Sequence, residues 1–136
     1  MDAESIWDVG RWQIIKYDDL YKAFKEQIPE GLSFYEIKEK EHLIDETDGI
    51  HMTFGMVIVP YVLHIIQNQK KDEINKVFTF FENMAMCEDI KVNEVLDFTV
   101  LEHLVDEGQE TLEECKQYMG INMRKHCEEI EKYFLL

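Results

Sequence analysis

From residue 17 onward, apolar side chains recur every three or four positions, the spacing of helices that each bury one face. Tyr17, Leu20, Tyr21, Phe24 and Ile28 make the first stripe, with Asp18 and Asp19 suited to a helix N-terminus and Pro29-Glu30-Gly31 to its end. A weaker helix is predicted from Leu32 to about Asp45, with Phe34, Ile37, Leu43 and Ile44 turned inward. Thr47-Asp48-Gly49 then signals a loop. Lys71 to Met86 gives the clearest helix, its face formed by Ile74, Val77, Phe78, Phe81, Met84 and Ala85. Another runs from Lys91 to Val105 and closes at Asp106-Glu107-Gly108, where glycine suits a left-handed stop. Thr111-x-x-Glu114 reads as a capping box opening a short helix through Leu112, Cys115 and Met119, which ends at Gly120. Asn122 is the expected cap of a last helix carrying Met123, Cys127, Ile130 and Phe134.

Two segments are ambiguous. Thr53 to Gln67 is the most apolar, and its β-branched Val57, Ile58, Val59, Ile65 and Ile66 make a strand the competing reading. Pro60 counts against a central strand because it removes a ladder donor, so a kinked or late-starting helix is favoured. Residues 1–16 hold Ile6, Trp7, Val9, Trp12, Ile14 and Ile15, but Val9-Gly10-Arg11-Trp12 interrupts any helical period. A docked extended arm and a helix remain equal readings. Connections beyond residue 86 are short, which favours antiparallel neighbours. The expected fold is a single all-α domain over residues 1–136, with about six or seven helices packed as antiparallel pairs and an N-terminal arm at 1–16.

Composition supports a packed core. A chain of 136 residues with 46 % hydrophobic content is not a disordered acidic polymer. Cys87, Cys115 and Cys127 are odd in number and lack CxxC spacing, so free thiols and a reducing, cytoplasmic setting are expected. Met1-Asp2-Ala3-Glu4 lacks the basic start of a signal peptide. The apolar run Phe54 to Ile66 falls short of the ~20 residues that span a bilayer. No membrane association is expected.

Charge changes the picture more. The formal net charge is −15, and the window from Glu82 to Glu114 holds eleven acids against Lys91 alone. Such a field attracts cationic partners and repels nucleic acid. Glu94, Asp97, Glu102, Asp106, Glu107, Glu110, Glu113 and Glu114 are therefore the candidate partner-binding residues, against the plain alternative of a solvated helical face. A second stretch, Glu30 to Asp48, has seven acids against Lys38 and Lys40 and is a candidate second lip of the same surface.

Catalytic chemistry is hard to find. Glu102-His103-x-x-Asp106 could hold a metal or an acid–base pair, but a di-iron bundle needs a second such motif, so a place beside the core is the better reading for His103. His42, Asp45, Asp48 and His51 match no zinc or EF-hand spacing and read as a polar loop edge. His64, within Leu63-His64-Ile65-Ile66, reads as a core or boundary histidine hydrogen-bonded by its neighbours. His126 and Cys127 are adjacent on a helix and diverge, so they make no dyad. No phosphate-binding glycine loop or GxSxG elbow is present. No enzyme activity, metal or cofactor is expected.

The runs Phe80-Phe81-Glu82-Asn83-Met84-Ala85, Val92-Asn93-Glu94-Val95-Leu96, Val100-Leu101-Glu102-His103-Leu104 and Tyr118-Met119-Gly120 carry a resemblance. Over about Met52 to Tyr133, the chain resembles small acidic all-helical bacterial proteins often met as immunity proteins beside polymorphic or contact-dependent growth inhibition toxins. The shared positions are helix-packing ones. The resemblance implies a cytoplasmic antidote that binds a cognate toxin domain, expected to be basic and nuclease-like, in a stoichiometric complex. An acidic helical adaptor or regulatory subunit for another protein is the alternative. Oligomeric state stays open.

Overall fold

Seven helices and no strand are found among the described residues, which in this computed structural model are 16–134. A 3-10 turn at Tyr17–Asp19 leads into α1 (Leu20–Gln27), and a second at Pro29–Gly31 carries the chain directly into α2 (Leu32–His42). Then come α3 (Ile50–Gln67), α4 (Lys71–Met86), α5 (residues 90–106), α6 (Gln109–Lys116) and α7 (Ile121–Phe134). The expected all-α domain is what forms. The reading of residues 1–15 as an arm or a helix lies outside the described residues.

Helix α4 packs against α3, α5 and α7, while α3 also touches α1, α2 and α5. One continuous core results. Phe24 of α1 is its aromatic centre, edge-on to Phe80 at 4.9 Å, Phe54 at 5.9 Å and Tyr35 at 6.0 Å between ring centroids. Such tilted pairs add stabilisation beyond the area they bury. Tyr35 and Tyr61 are buried with their hydroxyls satisfied, donating to the Ile28 carbonyl at 2.8 Å and to Glu73 Oε1 at 2.5 Å. Burial drives both phenol pKa values well above the ordinary range.

The helix over Thr53 to Gln67 forms, and the strand reading fails. Its start is earlier, at Ile50, and the winding changes just before Pro60. Residues Phe54–Ile58 wind as a π turn, with the Val59 N–H bonding to the Phe54 carbonyl five residues back. In a plain α-helix the Pro60 ring would press on the carbonyl of Met56, and the wider turn just before it relieves that crowding. The whole helix is long and apolar enough to cross a membrane by length and composition, contrary to the estimate from Phe54–Ile66, but 56 % of it is buried inside the fold. A second π turn, Leu96–Leu101, interrupts α5, and the two π turns pack together.

Two helices stop on left-handed residues other than glycine. At the end of α2, Leu43 has φ 54°, with Ile44 N–H bonding to Glu39 O and Leu43 N–H to Lys40 O. At the end of α3, Gln69 has φ 52°, with matching bonds from Lys70 to Ile65 and from Gln69 to Ile66. Both are Schellman stops. The expectation that Ile37 and Leu43 face inward is wrong, as they are largely exposed; the expected Phe34 and Ile44, joined by Tyr35, supply the inner face. The left-handed stop lifts the Leu43 side chain off the helix face.

The capping predictions near the C-terminus also change. Gly108 does need positive φ, at 115°, but as the residue preceding α6 rather than as a left-handed stop. Thr111 lies inside α6, so its capping box does not form. Asn122 does not cap α7. The cap comes from another helix: Glu82 of α4 accepts from the Asn122 N–H at 3.1 Å, the Asn122 side-chain amide at 2.9 Å and the Met123 N–H at 2.8 Å. Gly120 lies so close that a Cβ there would run into the Glu82 side chain. Of the apolar residues expected on α7, Met123, Cys127 and Ile130 are buried, but Phe134 is half out of the core.

Replacing Glu82 by Gln should lower unfolding free energy by about 1–2 kcal/mol, because two orphan helix amides lose a charged acceptor. Gly120→Ala should cost a similar amount by displacing the same carboxylate; urea unfolding measures both. Leu43→Gly should stabilise by about 0.5–1 kcal/mol, because the strain of a left-handed leucine exceeds the added freedom of the unfolded chain. Finally, burial pushes the Cys115 and Cys127 thiols up to about 12. A thiol reagent at pH 8 should label Cys87 in the native protein and the other two only after unfolding. Above the ordinary thiol range the unfolded chain releases protons that the native state keeps, so these two groups make stability fall as pH rises toward 12.

Candidate functional site

Helix α5 alternates inward Val92, Val95, Leu96, Val100, Leu101 and Leu104 with outward acids, and α6 continues the pattern around Leu112 and Cys115. Asp89 starts α5 by accepting from the Lys91 N–H at 2.9 Å. This local code places the eight candidate acids, but they do not form one continuous face.

Two of the eight are engaged internally. Asp97 is half-buried and 2.7 Å from His126 Nδ1 of α7. Burial raises its carboxyl pKa, and His126 opposes that shift. Glu113 accepts from Gln109 Nε2 at 2.6 Å and from Lys116 Nζ at 3.3 Å, while Lys116 also reaches Glu131 at 2.8 Å. Contact with Glu131 is the main reason the Lys116 ammonium is held above its usual pKa.

The remaining six, Glu94, Glu102, Asp106, Glu107, Glu110 and Glu114, have no lysine or arginine ion-pair partner among the described residues. Glu107, Glu110 and Glu114 line a groove of about 400 Å³ between α6 and the end of α3, with Gln67 and Gln69 opposite. Glu102 and Asp106 line a separate recess of about 190 Å³ with His103 and Phe134. These spaces share no lining residue. Neither includes a residue from 30–48, so that stretch is not a lip of either. Its acids are largely compensated instead: Lys25 reaches Glu39 at 3.0 Å and Glu46 at 3.1 Å, Lys38 reaches Glu41, and Lys76 pairs with Glu30.

The histidines act as ties. His51 Nδ1 and Thr99 Oγ1 are 2.6 Å apart, joining the first turn of α3 to the π turn of α5, and His103 Nδ1 donates to the Thr99 carbonyl at 2.5 Å. Thr99 is only 5 % exposed, so its hydroxyl, although beside an imidazole, is closed to a substrate. His64 stacks on Phe34 with centroids 5.1 Å apart. Asp45 accepts from the Thr47 N–H and hydroxyl, which hold its carboxyl below the usual range, and Asp48 accepts from the Asp45 N–H. These bonds fold a loop edge, while His51 turns away to Thr99. No group of three or more metal-ligating side chains comes together among the described residues.

His126 and Asp97 have the base-and-orienter geometry of a hydrolytic triad, a pairing between α5 and α7 that sequence spacing could not reveal. The adjacent Cys127 cannot complete it as a nucleophile: it is fully buried, its pKa is raised, and its thiol faces Glu131 Oε1 at 3.7 Å. The arrangement presents negative charge without lysine or arginine partners, among the described residues, at two places on a helical frame. No curated protein and no solved structure matches the chain. Residues 21–134 match the family described as a domain of unknown function, DUF7674, and the chain belongs to that family.

Proposed function

We propose that this protein is a non-enzymatic immunity protein, which neutralises a cognate basic toxin domain by stoichiometric binding in the bacterial cytoplasm. One observation carries the reading: six carboxylates on α5, α6 and the link between them have no cationic partner among the described residues, while the acids of residues 30–48 are largely paired within the fold. Uncompensated charge of one sign destabilises a compact chain through self-repulsion. Such charge is useful where a cationic surface approaches, because it raises the association rate and excludes wrong partners. Toxins that cleave nucleic acid must neutralise phosphates and so carry basic surfaces. An acidic helical frame competes for that surface, and the resemblance over Met52 to Tyr133 points the same way.

Tagged protein is expected to retain one basic, toxin-like protein in equal amount at low ionic strength, and co-expression with that toxin should restore growth. Reversing Glu107, Glu110 and Glu114 together to lysine should slow association by roughly tenfold at low salt and by much less at high salt. An unchanged association rate would remove the acidic groove from the mechanism. Loss of growth rescue in the absence of any effect on folding would confirm its role.

A further inference from the structure

The end of α7 leaves an apolar surface unused by the core. Phe98 is 55 % exposed, Tyr133 80 % and Phe134 49 %, and together with Ile130 they line a recess of about 380 Å³. Glu102 stands on its edge, and both Glu102 and Phe134 are shared with the adjoining recess that holds Asp106. Three aromatic rings beside carboxylates that have no basic partner among the described residues thus occupy one side of the molecule. We propose that this recess takes an arginine side chain flanked by an apolar residue, presented by a protein partner. The proposal rests on the basic-partner reading above and names where that partner is anchored.

Charge complementarity selects this occupant. A second copy of the chain would bring Glu102 and Asp106 toward their own equivalents, on a molecule of net charge −15, so a two-fold interface here is repulsive. A purely apolar segment would desolvate the Glu102 carboxylate with nothing to pair it. An arginine satisfies both halves of the recess. Its planar guanidinium stacks on ring faces while donating two bonds to a carboxylate, and lysine does only the second. Aromatic and arginine anchors of this kind dominate protein interfaces.

The test uses the full chain and an end-blocked hexapeptide of alternating leucine and arginine, followed by fluorescence anisotropy and by amide NMR shifts. Binding should perturb Phe98, Glu102 and Phe134. Phe98→Ala and Glu102→Gln should each weaken it roughly fivefold or more. Glu36→Gln, exposed on α2 and lining neither recess nor groove, should change it by less than about twofold. The lysine–leucine peptide should bind more weakly than the arginine peptide at equal charge. Thermal melts confirm that the variants fold. No binding, equal losses for all three variants, or a wild-type dimer that Phe98→Ala dissociates would each overturn the proposal. A captured basic partner that binds Phe98→Ala and Glu102→Gln as well as wild type would overturn the recess and leave the inhibitor reading intact. Peptide binding with the expected variant pattern, but no toxin neutralised, would support the recess and sink the inhibitor reading.

Discussion

The carboxylate of Glu82 sets the position of α7. The first amides of any helix lack partners within it, and those of α7 at Asn122 and Met123 point to a side chain that belongs to α4. A negative group at a helix N-terminus is favourable both as an acceptor and against the helix dipole. Because Glu82 is carried on the helix that packs against α3, α5 and α7, this contact fixes α7 along its length as well as capping its start. Met123, Cys127 and Ile130 then fall into the core, His126 meets Asp97, and the final turn comes to lie beside Phe98. Gly120 is the residue that lets the carboxylate approach. Part of the acid-rich window is therefore structural, and the charge available to a partner is smaller than the sequence total suggests.

Helical periodicity made the elements legible because each stripe is a physical demand for burial. Lys71 to Met86 could be read to the residue, since six apolar positions repeat there without interruption. The π turns were harder. In α5, Val95 and Leu96 are followed five residues later by Val100 and Leu101, and all four are buried. A π turn, with its five-residue bonding pattern, keeps both pairs on one face where an α-helix would rotate the second pair away. That five-residue step was a signal present in the sequence. The Glu82 cap left no such signal, because it joins residues forty positions apart and depends on where two helices meet.

The acids of the candidate site were legible as a group, while their grouping in space was not. Charge counts identify a helix with few lysines, but the His126–Asp97 contact and the Lys116–Glu131 ion pair involve α7, whose approach only the fold defines. Contacts with α7 remove Asp97, and bonds within α6 from Gln109 and Lys116 remove Glu113, from a surface that sequence reasoning treated as uniform. They also separate the rest into a polar groove beside α3 and an aromatic recess beside α7. Exposure of Phe134, expected in the core, was the other missing element, and it gives the second recess its apolar wall.

These two recesses call for different physics. Glu107, Glu110 and Glu114 face mainly amide and hydroxyl groups, so their effect on a partner is long-ranged and weakened by salt. Glu102 lies against aromatic rings, where part of the water around it would be displaced by a bound side chain. An interaction there is short-ranged and less screened, and its strength depends on stacking geometry as much as on charge. The recess stands on α5 and α7 and the groove on α6 and the end of α3, and α5 is held to α3 through Thr99 and His51 and to α7 through Asp97 and His126. Tied at both sides, α5 presents its charge in a fixed arrangement, so a partner need not spend binding energy on ordering it. Steering by the groove and anchoring in the recess are then two successive demands on one partner: a basic surface broad enough to be drawn in, and one guanidinium placed to enter.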